Sequence, residues 1–365
     1  MKVLHLSSER GWRGGEQQIA YLLEEHKNAG IDSHVICKKD SSFSKYCEQK
    51  EWQYEEVGFK NSLDLASAIK IKNYCGNNQI DLVHMHGSGS HGVGVLSVAL
   101  GNRTKLVLSR RVDFPLKTNF MSRWKYNHSS IKRILCVSDA IKEIVQQGIK
   151  KPEICQTIYS GIDLSKFDQV GDKEDLRSKY SIGRSTFLVG NTSALADHKD
   201  YFTFIDTAEV LLKEREDVHF IIFGRGELEA ELKGYAQSKS IEDSITFAGF
   251  VENIQELLPQ LDLFLMTSKT EGLGTSLLDA MVCKVPIVAT RAGGIPEIIM
   301  HEKSGLLSEV KDSKGLAEQV VRLIENAELC ERLVRNASEF VLKFDKKETA
   351  RQTLEVYKDV LGDES

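Results

Sequence analysis

At 365 residues, 41% of them hydrophobic, the chain is longer than a single core usually grows, and two domains are expected. No apolar run reaches the ~18 residues of a membrane-spanning helix, and the opening MKVLHLSSER meets charge too early for a secretory leader, so a cytoplasmic protein is expected. Seven scattered cysteines without a C-x-x-C spacing indicate neither a disulfide framework nor a zinc site; the net charge of −5, basic over residues 1–160 and acidic beyond, points any anionic surface to the first half and suggests no nucleic-acid partner.

Short apolar or β-branched runs alternate with helical patterns along the whole chain, the rhythm of parallel sheets covered on both faces. The first strand, Lys2–Leu6, runs into Gly11-Trp12-Arg13-Gly14-Gly15-Glu16 and a helix over Glu16–Ala29. Glycines there permit positive φ and close approach of the backbone, so the Gly14 and Gly15 amides are candidates to face a phosphate. The spacing is not the G-x-G-x-x-G of a dinucleotide site, which argues against a dehydrogenase. Strands over His34–Cys37 and Leu82–Met85 follow. His84 and His86 share one strand face; His86, at the carboxyl end, either binds or deprotonates an acceptor or is a satisfied structural histidine.

Strands at Leu106–Ser109, Ile134–Val137 and Gln156–Ile158, with a helix at Asp139–Gln147, complete the first half. From Arg103 to Arg133, nine lysines and arginines stand against one acid, Asp113, with Phe114, Phe120, Met121, Trp124 and Tyr126 between them. That pattern fits either contact with an anionic membrane face or an ordinary helix whose aromatics belong to the core.

Residues 166–183 are polar and read as a linker between a first domain, 1–165, and a second, 184–345. The second half repeats the pattern with strands at Phe187–Gly190, His219–Phe223, Ile245–Phe247, Leu263–Met266 and Ile287–Ala289, then three helical segments from Ser313 to Leu361. The last, within 346–365, is expected to pack back on the first domain. The fold class is therefore α/β: two Rossmann-like doubly wound domains facing across a cleft, with ligands at the carboxyl ends of the strands.

The segment from Thr270 to Met281 follows a strand and opens a helix. Its glycine-rich start, Gly272-Leu273-Gly274-Thr275, lets free amides approach a phosphate, and the peptide dipoles add about half a positive charge there. Glu271 stands in the loop, and Asp279 lies eight residues on, inside the helix.

With Glu271 through Met281 the chain resembles the retaining glycosyltransferase family 4, of GT-B architecture, whose pattern sets a second acid where Asp279 stands. The resemblance extends to Val137-Ser138-Asp139-Ala140, to Ile158 through Phe167, to Phe220–Gly226 and to Ile245–Val251. It implies that Glu271 contacts the transferred sugar, that the Gly274 and Thr275 amides hold the diphosphate, and that Asp279 binds the ribose hydroxyls. Gly224 ends the family's G-x-G strand, and the backbone near Phe250 and Val251 meets the nucleobase. Lys199 matches a family lysine that neutralises the leaving group, while Ala194 stands where the family has arginine. The family often carries a histidine in the loop after Leu106–Ser109. Here Arg110 and Arg111 stand instead; arginine cannot act as a base near neutral pH, so one of them is expected to read an anionic group on donor or acceptor.

The resemblance thus implies transfer of a sugar from a nucleotide-diphosphate donor to a sugar, glycolipid or polysaccharide acceptor, with Glu271, Lys199 and His86 as candidate catalytic groups. Neither a cofactor nor a metal is expected, because lysine and amides can meet the phosphate charge and no acidic pair stands at a strand end. Peripheral contact with the anionic inner membrane face is a further expectation. Two alternatives share the fold: a sugar-nucleotide-binding protein with impaired catalysis, suggested by Ala194, and a sugar-nucleotide epimerase.

Overall fold

The computed structural model describes residues 1–167 and 175–362, so the middle of the expected linker, 168–174, lies outside the described residues. The chain divides into two compact units: Met1–Gly161 together with the C-terminal segment from Lys346, and Ile162–Asp345.

In the first unit, seven strands form one parallel sheet: β1 (Lys2–Ser7), β2 (Asp32–Lys38), β3 (Tyr54–Val57), β4 (Leu82–His86), β5 (Lys105–Arg110), β6 (Ile131–Cys136) and β7 (Cys155–Thr157). Their order is β3-β2-β1-β4-β5-β6-β7, so the direction of winding reverses between β1 and β4. Helices start where side chains can take up orphan amides: Asp64 accepts from Ser67 N ahead of helix Leu65–Asn78, and Ser138 from Ile141 N ahead of helix Asp139–Gln146. One face of the sheet packs Val3, Leu82, Val107 and Leu135 against Val356, Tyr357 and Val360 of the C-terminal helix, Lys346–Leu361. At roughly 1.5–3 kcal/mol for each large apolar side chain buried, those three residues alone account for several kcal/mol of docking.

The second unit repeats the plan with six parallel strands: β8 (Phe187–Thr192), β9 (Val218–Phe223), β10 (Ile245–Gly249), β11 (Leu263–Met266), β12 (Ile287–Thr290) and β13 (Leu306–Ser308). Their order, β10-β9-β8-β11-β12-β13, reverses between β8 and β11. The central strands are largely apolar, β11 being Leu-Phe-Leu-Met, because helices cover both faces; Phe204, Phe220 and Leu316 lie in the core so formed.

The two strands that the sequence pattern omits, β3 and β13, are edge strands of four and three residues. Tyr54-Glu55-Glu56-Val57 is half-buried and carries two acids, so it lacks the apolar run by which the interior strands show themselves.

Candidate functional site

In both sheets the strand order reverses once, and loops leaving the carboxyl ends of the flanking strands diverge there to leave room for a ligand. In the second unit those loops follow β8 and β11, and they carry Lys199 and Glu271. The Lys199 ammonium donates to both Glu271 oxygens, at 2.9 and 2.7 Å, with side chains 15% and 12% exposed. Each partner is locked from behind. Thr267, buried just past β11, donates its hydroxyl to the carbonyls of Lys199 and Asp200, and the Lys269 amide donates to His198. The Gly294 amide in turn donates to the Glu271 carbonyl at 2.9 Å.

Three residues on, Gly274 caps helix Thr275–Val282 with φ +90 and ψ +55, a left-handed conformation that a side chain would strain. With no side chain to cap it, the helix presents its first amides, including that of Thr275, to an incoming anion. Gly272 is half-buried in this loop, while Leu273 is turned into the core. Asp279, on the same helix, is half-buried, and burial pushes its carboxyl up to about 7 while the Lys166 ammonium pulls the other way.

Gly224 joins this edge from β9. Its φ is +156, and a Cβ there would stand 1.9 Å from the Ser193 carbonyl oxygen, so only glycine lets the end of β9 lie against the loop leading to Lys199. The Gly224 amide donates to the Gly249 carbonyl, which ties on the end of β10; beyond it Phe250 is 65% exposed and Val251 half-buried. Lys199, Glu271, Gly272, Gly274, Thr275, Gly224 and Phe250 are thus carried by loops at the carboxyl ends of neighbouring strands of one unit. Ala194, between Ser193 and Leu195, leaves Lys199 as the cation of its loop that meets Glu271.

The other expected site residues belong to the first unit. Gly14 and Gly15 open helix Gly14–Asn28, where the buried Glu16 carboxylate accepts from Arg13 N and from the Ser7 hydroxyl. Both glycines are helical and neither uses a positive φ. Their lack of side chains leaves space instead, with nothing within 4 Å of a Cβ at Gly14 and only Arg111 Cδ at 4.0 Å from one at Gly15.

Of the two readings of His86, the structure favours the structural one. The ring is 3% exposed and lies within a buried histidine cluster of β1 and β4. Arg111 Nη1 stands 3.3 Å from His86 Nδ1, and His86 Nε2 is 3.1 Å from His5 Nδ1. Because guanidinium only donates, His86 accepts at Nδ1, carries its proton on Nε2 and donates a hydrogen bond from there to His5 Nδ1. His84 beside it bonds the Tyr357 hydroxyl of the C-terminal helix and the Ser109 hydroxyl. The nitrogens of His5, His84 and His86 lie within 4.8 Å of one another, a spacing that would suit a metal ion, but His86 Nε2 has no lone pair left to offer one. Burial, and then the neighbouring histidines and Arg111, hold all three well below the usual imidazole range, so they stay neutral near pH 7.

Arg110 and Arg111, adjacent on one strand end, go opposite ways. Arg111 turns to His86 and feels the Glu16 carboxylate; burial lowers its guanidinium to about 10. Arg110 donates to the Tyr126 hydroxyl and the Phe114 carbonyl. The basic segment behind it is an exposed loop followed by helix Phe120–Tyr126, in which Tyr126 is buried and Phe120 exposed.

Two family models match successive parts of the chain: the one described as Glycosyltransferase Family 4 over residues 12–166, and the one described as Glycosyl transferases group 1 over 172–340. The N-acetyl-alpha-D-glucosaminyl L-malate synthase of Bacillus anthracis is 28% identical over 82% of this chain and 80% of its own. A UDP-Gal:alpha-D-GlcNAc-diphosphoundecaprenol alpha-1,3-galactosyltransferase of Escherichia coli is 22% identical over 95% of both. Among solved structures, HepE of Anabaena in complex with UDP superimposes with a TM-score of 0.86 at 22% identity, over 98% of this chain and all of the other.

Proposed function

We propose, for a chain that belongs to the family 4 glycosyltransferases, that the Lys199–Glu271 pair and the helix start at Gly274 hold the diphosphate and sugar of a uridine-linked donor. The observation that carries this is the placement of a largely buried ion pair beside uncapped helix amides at the reversal of the second sheet. The solved likeness bound to UDP supports uracil as the base.

Charge gathers on the leaving diphosphate as the bond from the anomeric carbon to the β-phosphate oxygen breaks. The Lys199 ammonium and the Gly274 and Thr275 amides accept that charge, and such preorganised donors act before any solvent reorganises. Arrival of the diphosphate draws Lys199 off Glu271, whose freed carboxylate then accepts from sugar hydroxyls. Asp279, ionised above about pH 7, accepts from the ribose. The acceptor hydroxyl attacks the same face, and its proton passes to a phosphate oxygen of the departing nucleotide, giving retention. No step needs a metal.

The acceptor is a sugar on a glycolipid or polysaccharide, as the printed activity of the Escherichia coli relative supports. No helix among the described residues is long and apolar enough to cross a membrane. Contact with an anionic membrane face instead uses the exposed Phe114, Phe120 and Met121 among the lysines and arginines of the first unit.

Incubation with a panel of sugar nucleotides and chromatography of the products tests the reading. Release of UDP from a UDP-sugar, continuing in EDTA, is expected. Epimerised donor, donor binding without turnover, or activity that EDTA abolishes and Mg²⁺ restores would each overturn it.

A further inference from the structure

The first unit contains a groove of about 400 Å³ that no residue of the donor site borders. It runs from Ser88, at the start of helix Ser88–Ala99, past Arg110 at the end of β5 to helix Phe120–Tyr126. Arg110, Lys117 and Lys125 line it, and no aspartate or glutamate does. None of the three cations forms an ion pair among the described residues. Arg110 is immobilised through Tyr126 and Phe114, and Lys125 Nζ rests 3.3 Å from the Ser88 hydroxyl. Lys125 is held below its usual range by burial first and then by Arg110 and Lys117, so the trio is mutually repelling. Gly87, ahead of Ser88, supplies no side-chain cap, and the positive end of the helix faces the same cations. An uncompensated cluster of this kind is relieved by an anion.

The remaining wall is apolar. Phe114 and Met121 border the groove at 57% and 37% exposure, with Val112 and Trp124 beside them. A small hydrophilic anion would leave those side chains in water, whereas a phosphate carried on an apolar body would cover them.

We propose that this groove is the seat of the acceptor's phosphate, and that the acceptor is an amphiphile whose phosphate meets Arg110, Lys117 and Lys125 while its apolar portion lies along Phe114 and Met121. The assignment rests on the glycosyltransferase reading and names the chemistry of its acceptor. It also separates the two arginines: Arg110 serves the acceptor anion, and Arg111 belongs to the buried histidine cluster.

Trp124 lines the groove and reports on it. Decyl phosphate below its micellar concentration is titrated into the full chain, with decanol and inorganic phosphate as controls, while tryptophan emission is followed. Saturable change is expected with decyl phosphate, lost in Trp124→Phe, at least tenfold weaker in the Lys117→Gln/Lys125→Gln double variant, and displaced by inorganic phosphate only at much higher concentration. The proposal is overturned if the double variant binds decyl phosphate like the parent, or if decanol binds as well. Inorganic phosphate binding as tightly as decyl phosphate would remove the amphiphile from it. Thermal shift with UDP on the same samples separates the two readings. A retained UDP shift in the double variant shows that it is folded; a UDP shift without groove binding sinks the acceptor assignment alone, and groove binding without a UDP shift sinks the donor reading alone.

Discussion

Lys199 and Glu271 meet across 72 positions of sequence because two loops at one end of a sheet converge, and the pair is where the proposed chemistry is most exposed to test. Replacing Lys199 with alanine removes a preorganised cation and leaves Glu271 without its partner. Loss of about 10²–10³-fold in kcat is expected, with a smaller change in KM, measured by UDP release. Asp279 gives a second test through pH. Burial raises its carboxyl to about 7 in the folded chain, above the usual carboxylate range near ~4, so ionising it costs stability as pH rises from ~4 through 7. Asp279→Asn is therefore expected to be more resistant to urea than the parent at pH 8 and no more resistant at pH 4. If the ionised form accepts from the ribose, UDP affinity in the parent rises as pH passes from 6 to 8, and Asp279→Asn binds more weakly with that pH dependence gone. Calorimetric titration at the two pH values checks both.

Among the elements, the glycine-rich starts and strand ends were legible because backbone geometry restricts what can stand there. Gly274 is left-handed, and Gly224 lies against the Ser193 carbonyl. Gly224→Ala is expected to cost at least about 2 kcal/mol in urea unfolding and to weaken UDP binding by displacing the loop that holds Lys199. A stability loss without weaker binding would detach that loop from the donor. Gly14 and Gly15 are helical, and what glycine provides there is open space for a close approach to the backbone. Thr267 and Tyr357 were not anticipated at all, since a lone hydroxyl carries no local pattern and its partners arrive from distant elements. Tyr357 is fully buried on the C-terminal helix and bonds His84. Tyr357→Phe leaves that ring nitrogen unpaired and is expected to cost about 1–3 kcal/mol, read as a lower melting temperature with unchanged UDP affinity.

At the scale of the whole molecule, the alternation of strands and helices was sufficient to show two parallel α/β sheets, because interior strands buried on both faces are predominantly apolar. It did not show that β1, β2 and β4 carry imidazoles into that interior. His84 and His86 are satisfied by partners far along the chain, Ser109, Tyr357 and Arg111, and His34 Nδ1 meets the Tyr74 hydroxyl, while His5 Nε2 is buried without a hydrogen-bond partner among the described residues. The neutral state of His5, His26, His84 and His86 makes the first unit acid-sensitive. His26 is lowered to about 4 by burial, and the unfolded chain protonates near 6.5, so the unfolded state binds more protons between those values and stability falls as pH drops through them. His26 alone accounts for about 2 kcal/mol lost by pH 5. His5, His84 and His86 add to it, with Arg111 nearby opposing their protonation. Urea unfolding at pH 7.5 and 5.0 is expected to show the loss, and equal stability at both would contradict a neutral cluster.

Hydrogen exchange of the backbone amides with and without UDP tests the central claim most directly, since it reads the donor site without requiring the acceptor. Protection is expected over 192–200, 249–251 and 271–277, where Lys199, Phe250, Glu271 and Gly274 stand. UDP bound with no change in the exchange of those amides would contradict a donor held by the Lys199–Glu271 pair and the helix start at Gly274.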